Sequence, residues 1–224
     1  MREVILNVHG IGDPDRAPRA LEPGEAPYWI SAALWHEAVA RAAAAMAAGR
    51  ARVRFTFDDG NASDIEAGAP ALEAAGLSGV FFPLAGRLGE AGSLSAADLP
   101  DLVRRGHRVG NHGRDHVDWR RADLTAELDR ARDAIAAAAG APVTEAAIPF
   151  GRYDRAVLRA LRERGYGACY TSDGGAARPG EWPVPRVSLT GAMDGAAVED
   201  LVMGREPVGR RLRRPIAKLR KRLL

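Results

Sequence analysis

The chain has 224 residues, 46% hydrophobic and 27% charged, long enough for one domain with a sizeable core and too apolar for wholesale disorder. A single cysteine, Cys169, excludes an intrachain disulfide and a cysteine-rich metal centre, and no run of about 18 apolar residues is present to cross a bilayer. The formal charge of +3 is uneven: residues 205–224 hold nine basic side chains and one acid, leaving 23 basic against 28 acidic before them. The expected organisation is a folded body over 1–204 and a basic amphipathic or disordered tail over 205–224.

MREVILNVHG shows no succession of basic, apolar and small-residue zones like that of a signal peptide, which leads to the expectation of a cytoplasmic protein. A β-rich run at 3–8 leads to His9. A helical pattern follows at 31–48, with Ser31 as N-cap and Gly49 at its end. The alternation then continues through strand 52–57, helix 64–75, strand 79–84, helix 95–105 capped by Ser95, and strand 107–111. Helix 121–139, strand 145–150, helix 152–164 and strands 167–172 and 184–189 complete it, with Gly76, Gly106, Gly140 and Gly165 closing helices. Strand, helix, strand at this spacing implies parallel strands with right-handed crossovers, in either an open doubly wound sheet or a (β/α) barrel. Both architectures collect functional groups at the carboxyl ends of strands, where His9, Asp58, Asp59, His112 and Phe150 fall.

Two stretches carry chemistry. In RFTFDDG, 54–60, an apolar strand runs into two adjacent carboxylates, which repel unless they face water or a cation. In NHGRDH, 111–116, two histidines stand four apart, a spacing that puts both imidazoles on one face of a helical turn. A solvated acidic turn and two surface histidines are the plain reading. One aspartate and two histidines also make a set that suits zinc and leaves a coordination position open, with the second carboxylate free as a general base. Gly60 then relieves the backbone so that both neighbouring carboxylates reach one cavity.

TFDDG at 56–60 followed by HGRDH at 112–116 resembles the first two motifs of the polysaccharide deacetylase family, which includes chitin, chitooligosaccharide and peptidoglycan N-deacetylases. The resemblance runs from about residue 4 to residue 190. It implies a distorted (β/α)7 barrel and a divalent metal, usually zinc with cobalt or nickel as alternatives, held by Asp59, His112 and His116. It also implies Asp58 as catalytic base and Pro149, Phe150 and Gly151 of AIPFG as a wall of the substrate groove.

Two departures stand out. Ala147 occupies the place of the arginine that orients the base, with Arg152 and Arg186 as candidate replacements. No histidine follows His116, so the family's Leu-x-His acid is missing, and His9 is the substitute candidate. Trp119, Asp173 and Arg186 are further substrate-binding candidates, Trp119 (with Trp182) as a sugar platform. The expected activity is metal-dependent removal of an N-acyl group, such as acetyl, from an amino sugar; a glycan-binding relative that has lost turnover is the alternative. A receiver domain with an acidic pocket would leave the histidine pair without purpose. The expected partner is a carbohydrate. The basic tail, with Leu212, Ile216, Leu219, Leu223 and Leu224, suits peripheral contact with an anionic membrane. Nucleic acid is not expected, because no aromatic interleaves with its cations.

Overall fold

The computed structural model describes residues 2–205. The tail anticipated beyond that point lies outside the described residues. The strands are β1 (Val4–Val8), β2 (Gly10–Ile11), β3 (Trp29–Ile30), β4 (Val53–Asp59), β5 (Gly79–Pro83), β6 (Arg108–Val109), β7 (Glu145–Ala147), β8 (Ala168–Thr171), β9 (Val184–Pro185) and β10 (Val187–Ser188). The helices are α1 (Ala32–Ala47), α2 (Ala69–Ala74), α3 (Asp98–Arg104), α4 (Ala131–Ala139), α5 (Arg155–Glu163) and α6 (Gly195–Val202).

One run of strands follows the order β10-β1-β4-β5-β6 and another β7-β8-β9, all parallel. A parallel bridge between Asn111 and Ala146 joins β6 to β7. The other seam closes through a single residue. Arg186 separates β9, which pairs with β8, from β10, which pairs with β1, and its own N–H donates to Thr171 O at 2.9 Å. The broken strand 184–188 therefore completes a distorted (β/α)7 barrel, and β2 and β3 form a small parallel ribbon beside it.

The period of two along β4 builds its layers. Phe55 and Phe57 point outward to Trp35 of α1, edge-on at 5.2 and 5.4 Å, and Phe57 stacks on Phe81 at 4.4 Å. Thr56 and Asp58 point the other way, to the guanidinium of Arg186 in the lumen. Ser31 caps α1 by accepting from Leu34 N at 3.1 Å, and its apolar stripe Leu34, Trp35, Ala38, Val39, Ala42 and Ala45 is buried. No helix among the described residues is long and apolar enough to cross a membrane.

The five helix-closing glycines all adopt positive φ. Boundaries shift for local reasons. Asp98 captures Ser95 N and Oγ, at 2.6 and 2.9 Å, so α3 starts at Asp98 rather than 95. Asp154 caps α5, which therefore starts at Arg155 rather than 152. The segment 64–75 opens with the wide π-turn Asp64–Gly68, and the helix expected from 121 begins at Leu124, where the π-turn Thr125–Arg130 leads into α4. The strand expected to run to residue 150 stops at Ala147, because Pro149 has no N–H to donate and Phe150 turns to φ 57°. Helix α6 and the β2–β3 ribbon were not anticipated; α6 is short and flanked by glycines, and is capped by Asp194.

Trp119 is corrected by its burial. It is 1% exposed and packs in a core cluster with Leu128, Ile148 and Tyr153, so its face is not available to a sugar.

Candidate active site

The two adjacent carboxylates reach one cavity because β4 breaks its alternation at its last residue. Asp59 itself has φ 73° and Gly60 φ 68°, so the relief expected of Gly60 alone is shared with a strained aspartate. Gly60 is also sterically required, since a Cβ there would lie 2.9 Å from Pro83 Cα.

Asp58 is saturated. Arg186 Nη1 donates to its Oδ1 and Nη2 to its Oδ2, both at 2.7 Å, and Asn7 Nδ2 donates to Oδ2 at 2.9 Å. Arg186 is 1% exposed, and Nη1 also reaches Asn7 Oδ1 at 2.8 Å and Thr56 Oγ1 at 3.1 Å. Its guanidinium carbon lies 5.7 Å from the ring centre of Phe82 and 5.6 Å from that of Tyr170. Burial alone would raise the Asp58 pKa; the Arg186 charge overcomes it and holds the carboxyl at about 2.

Asp59 contrasts with its neighbour. Its Oδ1 is buried without a hydrogen-bond donor, 3.3 Å from His112 Nε2 and 3.4 Å from His116 Nε2. Both imidazoles have Nδ1 tied to groups that only accept: the Ala147 carbonyl at 2.9 Å for His112, and Glu22 Oε2 at 2.8 Å for His116. Nδ1 therefore carries the proton in each neutral ring, and the Nε2 lone pairs face the carboxylate. Two imidazole acceptors converging on an orphaned buried oxygen fit a cation, and the three ligand atoms lie within 4.8 Å of one another. Burial works to raise the Asp59 pKa, yet positive charge at its Nε2 neighbours, from a second proton on the imidazoles with His9 adding to it, holds it well below the usual carboxylate range. For His112 burial lowers the pKa, but the Asp58 and Asp59 charges prevail and raise it. The two histidines do not share a helical turn as their spacing suggested. They sit on an irregular loop reversed by Gly113 at φ 95° and His116 at φ 51°.

The other candidates scatter around this centre. His9 is half-buried against Tyr28, ring centres 4.9 Å apart, with Nδ1 buried and unpartnered. Burial lowers its pKa, against the opposing pull of Asp59 and Asp58. Pro149 and Gly151 are buried, whereas Phe150 is 49% exposed with its ring 4.3 Å from that of His116. Asp173 accepts from Tyr153 Oη at 2.6 Å and from Thr171 Oγ1 at 3.0 Å, holding its own loop together. Arg152 stands 3.9 Å from Asp118, so of the two arginines considered it is Arg186 that contacts Asp58. Asn7, Glu22, Tyr28 and the fully buried Asp64 escaped sequence reasoning. Asn7 was visible as a polar residue inside an apolar strand; Glu22 and Tyr28 sit in an irregular stretch with no periodicity to mark them.

A family model described as Polysaccharide deacetylase matches residues 46–169, more than half of the chain. The chain belongs to the polysaccharide deacetylase family. The Bacillus subtilis strain 168 deacetylase relative YxkH is 25% identical over 152 residues, 65% of this chain and 54% of that protein. This deacetylase homologue thus spans about half the length of the curated relative it matches. A Bacillus anthracis polysaccharide deacetylase structure superposes with a TM-score of 0.77 at 18% identity, over 90% of this chain and 69% of that one. The Streptococcus pyogenes deacetylase PplD, solved with acetate, gives 0.74 at 18% identity, over 92% of this chain and 99% of its own. These superpositions support the family's distorted barrel fold.

Proposed function

We propose that the protein is a metal-dependent hydrolase that removes an N-acyl group, acetyl in the simplest case, from an amino sugar. The observation that carries this reading is the arginine-held, ionised Asp58 beside the Asp59–His112–His116 set, which the end of β4 and the loop after β6 bring together. A divalent ion held by those three side chains, zinc by the chemistry of the donors, would polarise an acyl carbonyl and acidify a water. Asp58 takes the proton from the attacking water, and Arg186 fixes the direction of its carboxylate. Phe150 beside His116 and Tyr28 beside His9 offer apolar ring surface to the C–H face of a sugar.

His9 is the proposed donor to the departing amine. Its lowered pKa gives this a definite signature: the acid form declines with rising pH from below the usual 6.5, so turnover through His9 falls across the neutral range. A rate that stays flat from about pH 6 to 8 would assign the proton to another group. The basic residues of 205–224 support work near an anionic cytoplasmic leaflet on a glycan precursor; failure to sediment with anionic vesicles would remove that part.

The deciding experiment loads the protein with zinc and follows acetate or formate release from a panel of small N-acyl sugars, with Asp58→Asn as control. Release that depends on Asp58 is expected. No release across the panel despite bound metal would turn the reading to a glycan-binding relative without turnover.

A further inference from the structure

Between β2 and β3 the chain leaves the barrel for residues 12–28 and returns. This excursion is fastened across the rim rather than hanging from it. Arg19 Nε donates to Asn61 Oδ1 at 2.9 Å, and Asn61 Nδ2 donates in turn to the His9 carbonyl at 2.6 Å. Arg19 also pairs with Glu25, whose carboxylate accepts from Trp29 Nε1 at 3.1 Å, closing the base of the excursion on itself. Asn61 stands two residues after Asp59, so the clasp is tied to the turn that carries the central carboxylate.

Near the middle of this clasp sits Glu22. Its Oε2 accepts from His116 Nδ1 at 2.8 Å, and its Oε1 is paired with Arg87, just beyond β5. The two imidazoles of the site are thus held differently. His112 is fixed by a backbone carbonyl that no substitution can remove, whereas His116 is fixed by one side chain borrowed from a remote excursion. A carboxylate on the far nitrogen of an imidazole selects the tautomer with a free Nε2 and makes that nitrogen a stronger donor.

We propose that Glu22 is a positioning residue for the metal site, aligning His116 Nε2 with Asp59 and so setting how tightly the clasped site holds its ion. The proposal rests on the metal reading of Asp59, His112 and His116 and adds a residue outside the two sequence motifs.

The test uses the full chain, stripped by chelator and titrated with Zn2+ alone, with affinity read by competition against a chromophoric chelator. Glu22→Gln is expected to weaken binding by about 10–100-fold and Glu22→Asp by less. Asp15→Asn, an exposed change on the same clasp, should leave affinity unchanged. Nitrogen NMR of the apoprotein supplies a readout free of metal: His116 should show a protonated Nδ1 in the wild type and a mixture of tautomers in Glu22→Ala. Wild-type affinity in Glu22→Gln, or an unaltered tautomer in Glu22→Ala, would overturn the role of Glu22 while leaving the three ligands standing. A wild-type chain that binds no zinc would instead remove the metal reading, and the proposal with it.

Discussion

Both ends of the barrel lumen hold buried or half-buried charge, and they treat it differently. At the amino ends of the strands, Arg54 donates to Glu3 at 3.1 Å and to Tyr170 Oη at 2.9 Å; Tyr170 donates to Glu145 at 3.0 Å, and Arg108 pairs with Glu145. Each charged head in that network has its partner. At the carboxyl ends, Asp58 is matched as fully by Arg186 and Asn7, yet one residue on Asp59 Oδ1 faces two imidazole nitrogens and no donor. Tyr170 touches both regions, its ring beside Arg186 and its hydroxyl in the lower network. Matched charge holds a barrel together; lone pairs left facing one another mark where a cation belongs.

Removing a ligand should separate the two ends most sharply. Asp59→Ala or His112→Ala is expected to lose stoichiometric zinc and bring acyl release to background, measured by metal analysis beside the sugar assay; full zinc content would break the distinction. Next comes the matched carboxylate. Asp58→Asn should lower turnover by about 10²–10⁴-fold and Arg186→Met by about 10²-fold, both with zinc retained. Ala147 shares a lumen cluster with Phe82 and Tyr170, the rings that flank Arg186. Adding Ala147→Arg to Arg186→Met should therefore recover part of the lost rate, because a guanidinium from the end of β7 enters the same space. Loss of zinc in Arg186→Met would show that the two carboxylates do not act separately.

The lower network should respond in stability rather than in rate. Arg54→Met is expected to cost about 1 kcal/mol by denaturant unfolding and leave turnover unchanged. A separate pH-dependent effect falls on Asp64, which is fully buried with both oxygens unpartnered near the site. Burial, reinforced by Asp59 and Asp58, raises its pKa well above the ordinary range, so the folded chain keeps a proton that the unfolded chain releases. Its contribution to stability is present below the unfolded pKa and lost as pH rises toward the folded one. Asp64→Asn does not titrate, so its stability relative to the wild type should increase from about pH 4 to pH 7; a constant difference would place the Asp64 proton elsewhere.

The sequence by itself determined the alternation of strands and helices, the glycine-closed helix ends and the positions of Asp58, Asp59, His112 and His116 at strand ends. Those features are local: a period of two, a left-handed glycine or a charged pair after an apolar run is written within a few consecutive residues. Tertiary structure decided which arginine meets Asp58, because Ala147 and Arg186 reach one lumen only once the ring closes through the break at residue 186. It also decided that Trp119 is core, that Asp59 bears the backbone strain, and that an irregular excursion delivers Glu22 to His116. No spacing rule encodes a contact across 94 residues; such partners are chosen by where the barrel leaves a buried polar atom to be satisfied.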